Sequence, residues 1–260
     1  MITAKIERVI PVYPEYMHIQ WSISDPNGAA GPVTVMKSGS PDGPFTVVAE
    51  NIPNDSYFFQ DYDLGTGGLS QNIWYRVQVT SSISPDLTVI SDPLTVEYKA
   101  QPHRFRIARK ARRDLYITLS RLNGTVFIVL KRKRSGPRCT TCYNPYTQDS
   151  VLSQCGECYG TTYTGGYFDP VSIWGKIDPT ASNMQFGLQG VSENNISGFI
   201  CMDYPLIEVE DIIVEKQTNR RYKVVRNMQT EASRITVHQD LQISELARTA
   251  SEYSIPVSLS

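Results

Sequence analysis

Four cysteines, Cys139, Cys142, Cys155 and Cys158, carry the clearest chemistry in this 260-residue chain. They read C-x2-C, twelve residues, C-x2-C. Each pair can present two thiolates from one tight turn, and two pairs can close a tetrahedron around one Zn²⁺. Two disulfides in an oxidising compartment are the alternative, but paired knuckles suit a metal better than two small disulfide loops. A complete four-thiolate shell leaves no open coordination position, so the expected cofactor is a structural Zn²⁺, not a catalytic one. The fifth cysteine, Cys201, sits in the apolar run Gly198–Met202 and reads as a small buried side chain.

No catalytic residues are expected. His18, His103 and His238 are scattered, His18 and His238 on strand-like runs, where each reads as an exposed or satisfied strand residue. G-x-S-x-G, H-E-x-x-H and a P-loop do not occur in the sequence. Asp61, Asp63, Glu208, Glu210 and Asp211 fall near strand ends and read as solvated turn residues. The expectation is a protein that is not an enzyme.

Charge is the second signal. The formal net charge is −1, yet residues 101–138 hold twelve Lys/Arg against Asp114 alone, a net of +11. The rest of the chain, with 13 basic and 25 acidic residues, carries −12. Segregation of this size bears on partners. Arg104, Arg106, Arg109, Lys110, Arg112, Arg113, Lys131, Arg132, Lys133 and Arg134 are the candidate contacts to protein or DNA. A solvated helix face, counterion release from a phosphate backbone and docking on an acidic protein ring are three readings of the same charge. Aromatic residues for base stacking are sparse there, which argues against sequence-specific reading.

The elements that must hold these groups are mainly β. Residues 1–98 read as a sandwich, with strand-like runs at Ile6–Ile10, Met17–Ile23, Phe45–Val48, Trp74–Val79 and Leu94–Tyr98 between turn clusters. Residues 99–134 form a basic connector. Within it, an amphipathic helix over 102–122 has the apolar stripe Phe105, Ala108, Ala111, Leu115, Leu119 and Leu122, and a buried strand covers Thr125–Leu130. Residues 135–172 are the metal module. Residues 173–260 read as a small antiparallel barrel and a tail, with strands at Ile173–Ile177, Phe199–Met202, Ile207–Glu215, Arg221–Val225 and Ile235–Leu241, then a short helix at Ile243–Ala250. No apolar run approaches the roughly 20 residues of a membrane helix, and the N-terminus has no signal-peptide core, so folding in a reducing cytoplasm is expected.

Specific motifs add resemblances. Residues 1–98 resemble a fibronectin type III domain, through Trp21, Ser40-Pro41-Asp42-Gly43-Pro44-Phe45 (S-x-D-G-x-F) and Tyr75-Arg76-Val77-Gln78-Val79 (Y-x-V-x-V). That resemblance implies a core tryptophan and a corner tyrosine whose hydroxyl bonds back to the backbone. Residues 115–175, with Gly136-Pro137-Arg138-Cys139, Cys155-Gly156-Glu157-Cys158-Tyr159-Gly160-Thr161 and Gly165-Gly166-Tyr167, resemble the zinc insertion of a class of bacteriophage virion proteins. Pro205-Leu206-Ile207, Glu210–Val214 and Arg221-Tyr222-Lys223-Val224 resemble phage head-closure (neck) proteins.

Together these imply a structural virion protein of a tailed phage, assembled in the host cytoplasm and located in the neck or head–tail connector. Its partners would be the portal or adaptor and the tail-side neck or tail terminator proteins. In that reading 173–250 forms a homo-oligomeric ring and the metal module braces a neighbour. The basic helix touches protein or channel DNA, and the sandwich projects outward, with no membrane involved. Plain head-closure proteins lack the sandwich and the long basic helix. The alternatives are a nucleic-acid-binding zinc-ribbon protein and a baseplate or adhesion component.

Overall fold

The computed structural model describes residues 2–12, 16–64, 73–84, 87–96, 102–147, 149–152, 155–178, 184–187, 190–193, 196–232 and 235–257. Period-2 alternation is plainest in one N-terminal strand. In β6 (Trp74–Ser81) every second residue is buried, so Tyr75, Val77 and Val79 point inward. Around it lie β1 (Thr3–Val12), β2 (Tyr16–Ser24), β3 (Ala30–Ser38), β4 (Thr46–Ile52), β5 (Phe58–Asp61), β7 (Thr88–Ile90) and β8 (Leu94–Thr95). All pair antiparallel, in the orders β1-β2-β5 and β4-β3-β6-β7, with β8 also on β6. Ile6, Ile19, Trp21, Val33, Val35 and Tyr75 fill the space between the two sheets. Strands β3, β5 and β7 are additions to the runs read from sequence.

Helix α1 (Pro102–Ile117) begins on a proline, whose missing N–H is one the first turn leaves unbonded anyway. It runs into a π-helical turn over Thr118–Asn123. The chain leaves at Gly124 because any Cβ there would stand 2.2 Å from the Leu119 carbonyl oxygen. The buried stripe is Ala108, Arg112 and Leu119, with Leu115 half-buried; it faces β15, β17 and β18. Leu122, expected on the stripe, is 76% exposed, because the wider π turn rotates it off the core face.

The remaining strands are β9 (Thr125–Leu130), β10 (Tyr143–Asn144), β11 (Asp149–Ser150), β12 (Val171–Asp178), β13 (Met184–Gly187), β14 (Gly190–Glu193), β15 (Ile196–Met202), β16 (Ile212–Glu215), β17 (Arg221–Ala232) and β18 (Ile235–Glu245). Six of them close an antiparallel barrel in the order β12-β15-β18-β17-β16-β9. Phe127, Val129, Phe199, Ile213, Leu241 and Ile243 fill its interior, with the Phe127 and Phe199 rings edge to face at 4.8 Å. The strand at Thr125–Leu130, read from sequence as part of the connector, is therefore a barrel stave.

Two further expectations change. Residues 207–211 form a loop, and strand β16 starts only at Ile212. In place of the proposed helix at Ile243–Ala250, Ile243–Glu245 end β18, because Ile243 continues the inward alternation of Leu241, and residues 246–250 form a turn; only Ser251–Ser254 is a 3₁₀ turn. Among the described residues no helix is long and apolar enough to cross a membrane.

The sandwich does not project freely. Arg112 of α1 joins three elements: its Nη2 donates to Asp203 Oδ2 at 2.6 Å, its Nη1 to the Pro11 carbonyl at 3.2 Å, and its Nε to the Thr236 carbonyl at 3.0 Å. Arg8 donates to the Asp203 carbonyl at 3.2 Å, and Gln20 Oε1 accepts from the Leu206 N–H at 3.0 Å. These buried bonds lock β1 and β2 to the barrel.

Candidate metal centre and the basic segment

The four cysteines converge at the far end of a long hairpin. Its base is the β9–β12 pair, where Val129 opposes Val171. Above the barrel the two legs stay paired: Phe168 N–H bonds the Lys131 carbonyl at 2.9 Å, Lys133 N–H the Gly166 carbonyl at 2.9 Å, and Cys139 N–H the Thr162 carbonyl at 2.9 Å. Bridges at Arg132–Tyr167 and Arg138–Tyr163 continue the ladder. The Arg138 guanidinium lies over the Tyr163 and Tyr143 rings, at 4.3 and 4.7 Å, and stiffens the neck of the module.

Each C-x2-C closes a turn, with Tyr143 N–H on the Cys139 carbonyl and Tyr159 N–H on the Cys155 carbonyl. All four sulfurs are buried and lie within 4.8 Å of one another. Cys142 and Cys158 Sγ are 3.2 Å apart, and Cys139 and Cys155 Sγ 3.9 Å, so none is disulfide-bonded. A tetrahedral site with metal–sulfur bonds of about 2.3 Å has sulfur–sulfur edges near 3.8 Å, which this cluster brackets. The cluster could hold a metal ion in an all-thiolate shell.

The electrostatics suit a cation. Burial pushes the Cys142 thiol up to about 12 and raises Cys139 as well. Cys155 is drawn down to about 7 by the backbone N–H groups of Cys158 and Glu157. A bound cation would take the place of the protons that burial otherwise keeps on the Cys139 and Cys142 sulfurs. Gly166 completes the cradle: its φ is +68°, and a Cβ there would stand 2.6 Å from the Cys158 carbonyl oxygen. Glu157 was not singled out from sequence. Its carboxylate accepts the Thr141 hydroxyl and lies 3.6 Å from Cys139 Sγ. The signal was its place inside the second knuckle.

The basic segment divides. Arg112 and Lys131 are buried, which corrects their reading as surface contacts. Lys131 Nζ donates to Glu208 Oε2 at 3.0 Å and to the Leu206 carbonyl at 3.2 Å. Arg132 pairs with Glu210, Lys133 with Asp55 of the sandwich at 2.8 Å, and Arg134 with Glu208 at 3.4 Å. The run 131–134 thus makes ion pairs within the chain, with the Arg134 side chain still 49% exposed, and these hold the hairpin leg to the loop 205–211 and to the sandwich. Arg106, Lys110 and Arg113 are exposed on α1 and Arg109 is partly so; the Arg104 side chain lies outside the described residues.

Several polar residues depart from their sequence reading. Asp61 and Asp211 are buried, not solvated. Asp61 accepts the Tyr75 hydroxyl at 2.8 Å, so the corner tyrosine bonds a carboxylate instead of the backbone. Asp211 accepts the N–H groups of Arg132 at 2.9 Å and Glu208 at 2.7 Å, and burial lifts it to about 6. His18 is buried, and neither ring nitrogen has a partner among the described residues; desolvation, helped by Arg8, pushes it down to about 3. His238 lies 3.2 Å from Asp240, and Cys201 is fully buried. The His103 side chain lies outside the described residues.

No protein-family model matches the chain, and no curated protein matches it. Among solved structures it is similar to a pectate lyase from Pectobacterium carotovorum, at 16% identity and TM-score 0.30 over 38% of this chain and 28% of that one. It is also similar to an Fn3-like protein from Clostridium thermocellum, at 21% identity and TM-score 0.27 over 40% of this chain and 93% of that one. The chain thus spans about a quarter of the pectate lyase. Likeness this slight carries no argument about activity.

Proposed function

We propose that this chain is a non-enzymatic structural protein of a tailed bacteriophage, a subunit of the homo-oligomeric neck ring that joins portal to tail. The observation that carries the reading is the union of a closed six-stranded barrel and a four-cysteine cluster in one continuous hairpin. Head-closure barrels and phage zinc insertions are the two things the sequence motifs resemble. In this reading the ion is Zn²⁺, and the N-terminal sandwich is of fibronectin type III class, which its two sheet orders support. The exposed basic face of α1 meets the portal, the adaptor or channel DNA. Tail-side neck or terminator proteins bind the opposite rim.

The test is cryo-electron microscopy with proteomics on virus-sized particles from the source culture. The expected result is this chain as a ring between capsid and tail. Particles that hold capsid and portal but not this chain overturn the reading and promote nucleic-acid binding, which predicts steeply salt-dependent affinity for DNA.

A further inference from the structure

A second kind of donor stands at the edge of the cysteine cluster. Glu157 lies between Cys155 and Cys158 in the second knuckle. Its Oε2 is 3.6 Å from Cys139 Sγ, across in the first knuckle. That separation falls between the sulfur–sulfur distances of the cluster, 3.2 Å for Cys142–Cys158 and 3.9 Å for Cys139–Cys155. The carboxylate oxygen is therefore as near to Cys139 as the paired sulfurs are to each other. The four sulfurs form the compact group, all within 4.8 Å of one another, and Glu157 borders that group beside Cys139.

What holds the carboxylate there is local. The turn closed by Tyr159 N–H on the Cys155 carbonyl at 2.9 Å fixes the backbone at Glu157. The Thr141 hydroxyl, in the first knuckle, donates to the same Oε2. The carboxylate thus spans both knuckles, and no ion pair engages it among the described residues. Glu157 is exposed, so its side chain can change rotamer without disturbing the turn that carries it. A Glu carboxylate is an ordinary Zn²⁺ ligand, with metal–oxygen bonds of about 2.0–2.2 Å against about 2.3 Å for sulfur. Exchanging one thiolate for one carboxylate also leaves the charge of the shell unchanged.

We propose that Glu157 is a reserve ligand for the Cys139 position. When the Cys139 thiolate is lost, the Glu157 carboxylate moves into its place and completes the shell with Cys142, Cys155 and Cys158. The four cysteines are then unequal: Cys139 is replaceable, and the other three, whose sulfurs no carboxylate meets within hydrogen-bonding distance among the described residues, are not. This rests on the cluster being a metal site and is independent of the ring.

The test is a competition titration of the full-length chain with Co²⁺ and Zn²⁺, following the thiolate-to-cobalt absorption. The variants are Cys139→Ala, Cys142→Ala, Glu157→Ala and the double variant Cys139→Ala with Glu157→Ala. Alanine removes the sulfur without offering the hydroxyl that serine would. Cys142→Ala should weaken binding on the order of 1,000-fold, and Cys139→Ala only on the order of tenfold. The thiolate-to-cobalt absorption of Cys139→Ala should fall by about a quarter, with the tetrahedral signature kept. Glu157→Ala should cost at least about tenfold more affinity in the Cys139→Ala background than in the wild-type sequence. An equal cost in both backgrounds means that Glu157 only supports the turn through Thr141, and overturns the proposal. Metal loss by Cys139→Ala as complete as that of Cys142→Ala overturns it too, as does a double variant that binds as well as Cys139→Ala, since water then fills the place. Wild-type protein that takes up neither ion sinks the metal site and the proposal together, whereas the other three results leave the metal site standing.

Discussion

Arg112 is the single side chain whose loss should most weaken the molecule. It is buried, and removing it as Arg112→Met strips Asp203 of its only side-chain cation within bonding distance among the described residues. The Asp203 carboxylate is completely buried, and its Oδ1 has no partner there. Burial already holds Asp203 above the usual carboxylate range, against the pull of Arg112 and Arg8. Breaking a buried ion pair by removing one partner costs about 3–5 kcal/mol. The Pro11 and Thr236 carbonyls also lose their donor. The assay is urea unfolding followed by tryptophan fluorescence, since Trp21 and Trp74 report on the sandwich and Trp174 on the barrel. The expected deficit at neutral pH is about 4 kcal/mol.

The sign of the pH effect follows from the raised value of Asp203. Without Arg112 its carboxyl rises further, so the variant's deficit should be greatest above that value and shrink as acid protonates Asp203. Arg113→Met, one residue along on the exposed face, should change stability by no more than about 0.5 kcal/mol. Arg112→Met with Asp203→Leu should be milder than Arg112→Met alone. A deficit below about 1 kcal/mol, or one that is flat with pH, would refute this account of the latch.

Cys142→Ser, or exhaustive chelation, should melt residues 136–170 while the sandwich stays folded; near-stoichiometric zinc retained after that substitution, by elemental analysis, rules out the four-cysteine site. Gly166→Ala should lower metal affinity at least tenfold in a competition titration, because a Cβ cannot stand 2.6 Å from the Cys158 carbonyl oxygen at φ +68°. Asp211 has a folded value of about 6 against 3.8 unfolded, so its contribution is complete below 3.8 and is lost as pH rises through 6. The stability of the wild type minus that of Asp211→Asn should therefore fall by on the order of 3 kcal/mol across that window, read from paired urea titrations, and a flat difference would place Asp211 in contact with solvent.

What the sequence made legible was local. The cysteine spacing, the period-2 runs of β6 and β18 and the helical stripe all state their structure within a dozen residues. The errors share a different cause, which is dependence on distant partners. Arg112 read as one more surface cation, and only Asp203, 91 residues away, makes its burial tolerable. Asp61 read as a turn residue until Tyr75 and Lys37 enclosed it. In β9 the alternation was hidden because both faces are covered: Phe127 and Val129 face the barrel interior, while Ile128 and Leu130 pack with Tyr167 and Ile255 outside it. Such a run gives no sign of which sheet it joins. His18 was indistinguishable from an ordinary strand histidine, because nothing near it in sequence records that its nitrogens lack partners.

The cysteine module leaves the barrel from β9 and returns through β12, and these two staves are adjacent. Its entry and exit points, beside the opposed pair Val129 and Val171, are therefore a neighbouring-strand spacing apart, about 5 Å. A segment grafted between two such points adds nothing to the strand count or the stagger that set the barrel's girth. The module behaves as a cassette. Its base is bonded to the loop 205–211 and to the sandwich through residues 131–135, so the part free to be lengthened or exchanged without disturbing either the barrel's register or those bonds is the tip beyond them, which carries the cysteines.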